Sequence, residues 1–523
     1  MASSHKKSLK PLADALGRRG HNVTMWNTFF VPQPLNAKLF TEIDVVVQSS
    51  NRDFVEQFVY GNATKLMDTW NREDLSTMFF LDPWKCCIEI CRLTAHQHRE
   101  WFKILKNSKW DLLVLDTIVS PCGLIITQMI GAPYVITSTT FPMSWTQRHR
   151  AVPQPISDAP SFDWTYDVRQ FTHRVRNFVN IHVIDPLIAC MVQRSLTQII
   201  SHDLGAEFLN FKPFNYPEVD KRALLSLFPY PAEFDNARPR VVDEISTEDT
   251  SCEAQNRRGP SFDVPEPYSA FISDPKSQGT ILIAFGHMVN WYSVDNTTIA
   301  ELYKSFRALP QFKFVWQYNG PPLAKIVSNH KTDLNFSSNI LVSDWLPQIV
   351  ILNHPMTIAF MSHMGLKSVR DAICAAVPFI ALPIWAEQAT NSRVLIDRFK
   401  TGVSLQKQNL TFETISTAIR RVSTNHIYRR NIQRLKQRMN DVFADKLEMG
   451  VNWIEFALKH SNHMHLLAIR GRNLTWLQYY CFDVLICAVT AAILSMVTFY
   501  KLVRVCLNLK KFHEQSSKKR RAF

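Results

Sequence analysis

The chain begins without the apolar run that a secretion signal requires, since its first ten residues, MASSHKKSLK, are polar. Either its natural start lies upstream, or an apolar segment near the far end acts as a late insertion signal. There is no short-period repeat, which excludes a solenoid or propeller. Paired C-x-x-C spacing is also missing. The stretch KCCIEIC (Lys85–Cys91) therefore reads as buried helix cysteines and not as a zinc site. Of ten cysteines, Cys481, Cys487 and Cys506 lie in or beside the apolar segment, and the odd number before it predicts a few disulfides at most. No Lys/Arg stripe interleaved with aromatics appears, so nucleic acid is not an expected partner. Acid is scarce at the end: residues 501–523 carry eight Lys and Arg against Glu514 alone, half of the chain's net +14.

What is present describes an ordered globular protein, with 46% hydrophobic and 20% charged residues in 523, enough for two or three domains. Val484–Tyr500 holds no charge and is flanked by Trp476, Tyr479 and Tyr480 on one side and the basic tail on the other. With those aromatics it reaches the roughly 20 residues that span a bilayer. A transmembrane helix over 476–500 is expected, with the tail 501–523 cytosolic and the bulk of the chain across the membrane. Asp483 falls at the entry side, where headgroups and water can solvate it. Six N-x-S/T sequons, at Asn22, Asn62, Asn296, Asn335, Asn409 and Asn473, agree with a lumenal bulk.

Short apolar strands alternate with amphipathic stretches, a βαβ pattern that predicts parallel sheets. Strand-like runs are HNVTMW (21–26), DLLVLD (111–116) and PYVITSTT (133–140), with a helix before the first that stops at Gly20. A polar stretch near 234–267 reads as a linker. Alternation resumes with TILIAFG (280–286), FKFVWQY (312–318), NILVSDW (339–345) and then AFMSHMGLKSVRDAICAAVPFIALPIWAEQ (359–388). The expected fold class is α/β: two tandem Rossmann-like, doubly wound domains plus one C-terminal transmembrane helix. The expected boundaries are 1–235 for the acceptor-binding domain, 236–262 for the linker and 263–475 for the donor-binding domain.

In the second domain, successive strands end in side chains unlike their interiors. These are Gly286-His287, then Asp344-Trp345-Leu346-Pro347-Gln348, then Ser362-His363-Met364-Gly365, then Trp385-Ala386-Glu387-Gln388. In a parallel sheet these ends share the edge where ligands bind. The Ser362–Gly365 turn opens onto a helix and so aims N–H groups and a positive helix end at one spot, which suits a phosphate. An aromatic for stacking, an anion-binding turn and an acid–amide pair for hydroxyls together describe a nucleotide sugar.

At these residues the chain resembles the UDP-glycosyltransferase family, in its membrane-bound UDP-glucuronosyltransferase branch and nematode-type members most of all. The resemblance is carried by WLPQIVILNHP, SHMGLKSVRDA and VPFIALPIWAEQATN between Trp345 and Asn391, and more weakly by SHKKSLKPLADALGRRGHNVT, WDLLVLDTIVSPCG, NWIEFALKH and LTWLQYYCFDV. It implies a GT-B fold and an inverting hexosyltransferase that moves glucuronate or glucose from a UDP-sugar to a hydroxyl of small lipophilic acceptors. It implies endoplasmic-reticulum residence, requires no metal or other cofactor, and is compatible with a homo-oligomer.

The implied roles are specific. Trp345 stacks on uracil, with Gln348 bonding nearby ribose or base. His363 and the N–H groups after Gly365, with Ser368, take the diphosphate. Asp371 accepts from ribose hydroxyls, and Glu387 and Gln388 hold the sugar. His5 matches the general base and Asp116 the carboxylate that orients it. The sequence departs from the family pattern at Met364 for Gly, Asp371 for Glu, Glu387 for Asp and His287 for a small hydroxyl residue. VVDEIS (241–246) stands where the family has Gly-Gly-Ile. The family's central apolar strand ahead of His5 is absent, so the first sheet is expected to lack it and the sequence is read as truncated. Two other classes remain: a family member that binds UDP-sugar or a hydrophobic ligand without transfer, and a lectin or receptor ectodomain. The last is disfavoured because the conspicuous residues serve a nucleotide.

Overall fold

The first half supplies six short strands: β1 (Thr24–Phe29), β2 (Thr41–Val46), β3 (Leu113–Asp116), β4 (Tyr134–Thr137), β5 (Ser226–Phe228) and β6 (Glu244–Ser246). The computed structural model describes residues 3–29, 35, 37–49, 70, 81–117, 120–138, 144–153, 166–204, 214–228, 241–247, 263–286, 289, 291–329, 337–384, 387–441 and 445–520. For residues 3–5, 81–86, 121, 144, 200, 201, 204, 476, 519 and 520 it describes the backbone alone. His287, Trp385, Asn62, Asn335 and most of the expected linker lie outside the described residues. By compactness the chain forms two units, 1–467 and 468–523.

All the first-half pairings are parallel, as the βαβ pattern requires, but they form two sheets: β1-β2, and β3-β4-β5-β6. The strand β6 falls inside the stretch expected to be linker. It pairs with β5 along its whole length, and the reason is visible just ahead of it. The guanidinium of Arg150 donates to the carboxylate of Asp243 at 2.6 Å and to the carbonyl oxygens of Asp220 and Ala223, all out of contact with water. A buried charge is tolerable only when so paired, and this one pins the chain beside β5.

The second half forms one six-stranded parallel sheet. Its strands are β7 (Thr280–Ala284), β8 (Lys313–Gln317), β9 (Ile340–Ser343), β10 (Thr357–Ser362), β11 (Phe379–Ala381) and β12 (Gly402–Ser404). Their spatial order is β12-β11-β10-β7-β8-β9. Numbered from β7, that is 3-2-1-4-5-6 read from the β9 edge, the doubly wound order with its switch point between β7 and β10. All five residues of β7 are buried, since helices cover both faces of the sheet. One face packs Ile281 and Ile283 with Phe306, Phe314 and Trp316, and the other packs Leu282 and Ala284 with Val369, Ile373 and Phe379.

The helix Ser3–Arg18 agrees with the expected helix ending at Gly20 and buries Leu12, Ala15 and Leu16. These pack with Val135, Leu227 and Ile245 and with Val451, Ile454 and Ala457 of the helix Lys446–Lys459. Although that helix follows the second sheet in sequence, its apolar face completes the core of the first. Arg19 clasps Glu448 and Glu455 at 2.6 Å each, and His21 meets Glu455 at 3.1 Å.

The cysteines agree with the expectation of buried helix cysteines and a few disulfides at most. Cys91 is joined to Cys122 in a buried disulfide, while Cys87, one turn earlier on the helix Leu81–Gln97, is a free buried thiol whose pKa burial pushes up to about 11.

In the second unit, the helix Phe482–Arg520 includes a candidate membrane span within Phe482–Lys518, whose uncharged part is Val484–Tyr500. At about 1.5 Å per residue the 37-residue stretch is longer than the roughly 30 Å hydrocarbon thickness, and its excess is the basic end. The helix does not stop at Tyr500 but runs on through the basic tail. Asp483, in the first turn of that helix, accepts from the Val484 N–H at 2.9 Å.

Candidate active site

Two strand ends meet at the switch point, and the site is built there. After β7 the chain turns at Gly286, with φ 68°; after β10 it turns through His363 and Met364 into the helix Leu366–Ala375. The imidazole of His363 lies between Gly286 and Gly365. A Cβ on Gly365 would fall 2.4 Å from His363 Nε2, and one on Gly286 would fall 3.1 Å from the ring. Neither position has room for a side chain while the ring stays where it is.

Met364 takes the left-handed conformation, φ 68°, that favours glycine. For a residue with a Cβ this costs about 1–2 kcal/mol. Three contacts hold it there. Its side chain is fully buried in the core of the second sheet, its N–H donates to Ser362 Oγ at 3.1 Å, and its carbonyl accepts from Asn391 Nδ2 at 3.0 Å. The helix beyond has no acidic residue in its first turn. Its first N–H groups, which have no carbonyl partner within the helix, make a positive end facing the turn.

One helical turn along, Ser368 and Asp371 are buried and joined to Gln348, the first residue of the helix Gln348–Asn353. Gln348 Nε2 donates to Asp371 Oδ2 at 2.9 Å and lies 3.3 Å from Ser368 Oγ. Three residues selected separately in the sequence thus form one hydrogen-bonded group. Trp345 precedes them with its ring 65% exposed, unusual for an indole. Its backbone is fixed: the carbonyl accepts from the Tyr268 hydroxyl at 3.0 Å and from Ser343 Oγ at 2.9 Å. Over the ring, at 5.6 Å, sits the ammonium of Lys7 from the first helix.

Glu387 and Gln388 lie after β11. Glu387 caps the helix Gln388–Arg393 and its carbonyl accepts from the Asn391 N–H at 2.9 Å. Gln388 is buried, and its Oε1 accepts from the Ile384 N–H at 3.0 Å, so part of its hydrogen-bonding capacity holds the loop. Asp116 ends β3 and is buried. His5 is in the first turn of the helix Ser3–Arg18, but its side chain lies outside the described residues, and so does any His5–Asp116 contact. What the structure brings together is Lys7, two residues on from His5, and Trp345.

Sequence reasoning placed Ser362 and Gly286 at the strand ends without giving either a role of its own, and it assigned none to Asn391, Tyr268 and Lys7. Asn391 ends the signature stretch and Gly286 follows an apolar strand, so both had a positional signal. Tyr268 and Lys7 had none, because their partners are 77 and 338 residues away.

An α/β transferase with a nucleotide edge at its switch point is the class these features define, and solved structures agree on the fold. Os79 from O. sativa in complex with UDP is 15% identical, covers 88% of this chain and 98% of its own, and has a TM-score of 0.53. The spinosyn forosaminyltransferase SpnP is 15% identical, covers 88% and 97%, and has a TM-score of 0.54. The fold is that of GT-B glycosyltransferases. The chain belongs to the UDP-glucoronosyl and UDP-glucosyl transferase family, whose sequence model matches residues 1–519. Among relatives, UDP-glucuronosyltransferase 1A6 of Oryctolagus cuniculus is 25% identical over 497 residues, 92% of this chain and 86% of the relative. UDP-glucuronosyltransferase 2A3 of Cavia porcellus is 26% identical over 528 residues, 97% and 94% respectively.

Proposed function

We propose that the protein transfers glucuronate or glucose from a UDP-sugar to a hydroxyl of small lipophilic acceptors, with inversion at the anomeric carbon. The observation that carries this reading is the packing of His363 between Gly286 and Gly365 at the switch point. It presents an imidazole and a helix end to one place, which fits a diphosphate. Trp345 offers an exposed face for uracil, and the Gln348–Ser368–Asp371 group offers acceptors for ribose hydroxyls. Glu387 and Gln388 hold the sugar.

In the reaction His5 removes the proton from the acceptor hydroxyl, whose oxygen attacks the anomeric carbon from the face opposite UDP. The bond to the diphosphate oxygen breaks, and the proton stays on His5, where Asp116 stabilises the imidazolium. Negative charge growing on the leaving UDP meets His363 and the helix N–H groups, fixed dipoles that stabilise it without a metal. Lys7 over Trp345 supports this assignment, because it brings the turn that carries His5 to the donor edge.

We place residues 1–467 in the endoplasmic-reticulum lumen and the basic end in the cytosol. The Lys/Arg excess after the span supports this orientation, as do the Cys91–Cys122 disulfide and the exposed sequon residues Asn22, Asn296 and Asn409. The test is full-length protein in detergent, a panel of UDP-sugars, and simple phenols as acceptors. Transfer from UDP-glucuronate or UDP-glucose is expected. UDP binding with no transfer from any donor would move the protein to the binding-only reading.

A further inference from the structure

The side chain of Lys6 has no contact with water. It follows His5 on the helix Ser3–Arg18 and reaches the face of the β1-β2 sheet. Its ammonium donates to both oxygens of Asp44 at 2.7 Å and pairs with Glu42. It also sits 5.0 Å from the centre of the Phe29 ring. Both carboxylates have a second donor: Asn27 Nδ2 donates to Asp44 Oδ1 at 3.3 Å, and the Leu35 N–H donates to Glu42 at 3.0 Å.

The four sheet residues share one face. Glu42 and Asp44 alternate along β2, Asn27 and Phe29 alternate along β1, and Asn27 is the register partner of Asp44. A parallel strand turned toward a helix ordinarily carries apolar residues there. Two carboxylates and an amide in their place make a polar socket around one ammonium. A buried ion group of this kind adds little net stability over apolar residues of similar size. What it fixes is position, since the charge cannot leave its partners without being stranded in the interior.

Position matters most at the start of this helix. Its later turns are held by the burial of Leu12, Ala15 and Leu16 and by the clasp of Arg19 with Glu448 and Glu455. Its first turn has no acidic residue, and Lys6 and Lys7 bring positive charge to an end that is already positive. Glu42 and Asp44 supply the negative charge which that end lacks, and Lys6 is the tie.

We infer that Lys6 is a positioning residue for sugar transfer: seated between Glu42 and Asp44, it holds the turn that presents His5 to the acceptor hydroxyl. The inference rests on the reading of His5 as the general base. A base works only within hydrogen-bond reach of the proton it takes, and a displacement of about 1 Å can cost on the order of 10²-fold in rate.

The test uses the full-length chain in detergent with a radiolabelled UDP-sugar and a simple phenol, so that slow turnover can be measured. Lys6→Met with Glu42→Gln and Asp44→Asn removes all three charges at nearly constant size and leaves none unpaired. Its kcat is expected to fall by about 10- to 100-fold while UDP affinity, set in the second half, stays level. Made on top of His5→Ala, the same three changes should alter turnover by less than about twofold, because no base is left to misplace. Should the triple variant fail to bind UDP and so to fold, Asp44→Asn alone asks the same question. Its smaller loss of kcat, about 3- to 10-fold, should again vanish on top of His5→Ala. Turnover equal to the parent's overturns the inference, and so does an equal loss with and without His5, which would make the socket a structural staple only. If His5→Ala is itself as fast as the parent, the general-base reading falls and takes the inference with it. A parent that binds UDP and transfers no sugar removes both.

Discussion

The two halves of the chain use the same βαβ alphabet and solve different problems. In the second half one sheet is continuous across its switch point, and the candidate donor residues are held by partners close in sequence. Met364 is fixed by Ser362 and Asn391, and Gln348 by Ser368 and Asp371. In the first half the strands divide into two sheets, and β6 is held by a buried ion pair spanning 93 residues. A helix from beyond the second sheet completes that core. The second half's candidate site is drawn mostly from one stretch of sequence, whereas the core of the first half is assembled from distant segments.

If this contrast is right, the largest loss of activity comes from the first half. His5→Ala should lower turnover by roughly 10²–10⁴ with UDP affinity unchanged. Equal turnover by parent and variant would remove His5 from the mechanism. Asp116→Asn should also slow turnover, and the double variant should be little worse than either single one, because the pair acts as a unit.

Effects on binding belong to the second half and are smaller. Gly365→Ala forces the His363 ring away from its place, and titration of UDP should show a loss of about 1.5–3 kcal/mol, the range for hydrogen bonds to charged groups. If affinity is unchanged, the diphosphate does not use His363. Trp345→Ala should weaken UDP binding by about 1–3 kcal/mol through lost stacking, with the lower half of that range expected because Lys7 already occupies one face of the ring.

The smallest effect is expected at the clasp between the helices Ser3–Arg18 and Lys446–Lys459. Glu455 is held below the ordinary carboxylate range, first by its hydrogen bond from His21 and then by Arg19. A carboxyl lowered on folding contributes stability above its unfolded pKa and loses it as pH falls through the folded one. Glu455→Gln should therefore lower Tm slightly at neutral pH, and the difference should close on acidification. A gap that widens in acid would assign the clasp to other groups.

The strands of the second half were legible because a parallel strand buried on both faces needs an apolar residue at each position. TILIA, KFVWQ and TIAFMS keep to that rule at their interior positions, with polar residues only at their ends. Three-residue strands were less legible: β11 showed because it sits in the apolar run Val377–Leu382, whereas β5, β6 and β12 did not. The polar surroundings of β6 read as linker, and only the burial of Arg150 against Asp243 makes it a strand. The candidate site divides in the same way. The residues between Trp345 and Gln388 could be chosen from strand ends and a signature, whereas Lys7 and Tyr268 meet that site only after folding.

Local rules settled in the sequence what depends on neighbours a few residues apart. Among these are the apolar strands, the anion-binding turn at Ser362–Gly365, the uncharged helix after Phe482 and the family signature. Tertiary structure alone decided what depends on burial and on partners far along the chain. It left Met364 in a glycine conformation because its side chain fills the core, and it fitted His363 between two glycines 79 residues apart. It buried Ile188, Val192 and Leu196 of the run Phe171–Gln198 in the core and left Phe171, Leu187 and Met191 exposed. The physical reason is common to all of these. Period and propensity act through adjacent residues, while the placing of a charge, a ring or an apolar face is set by what excludes water from it.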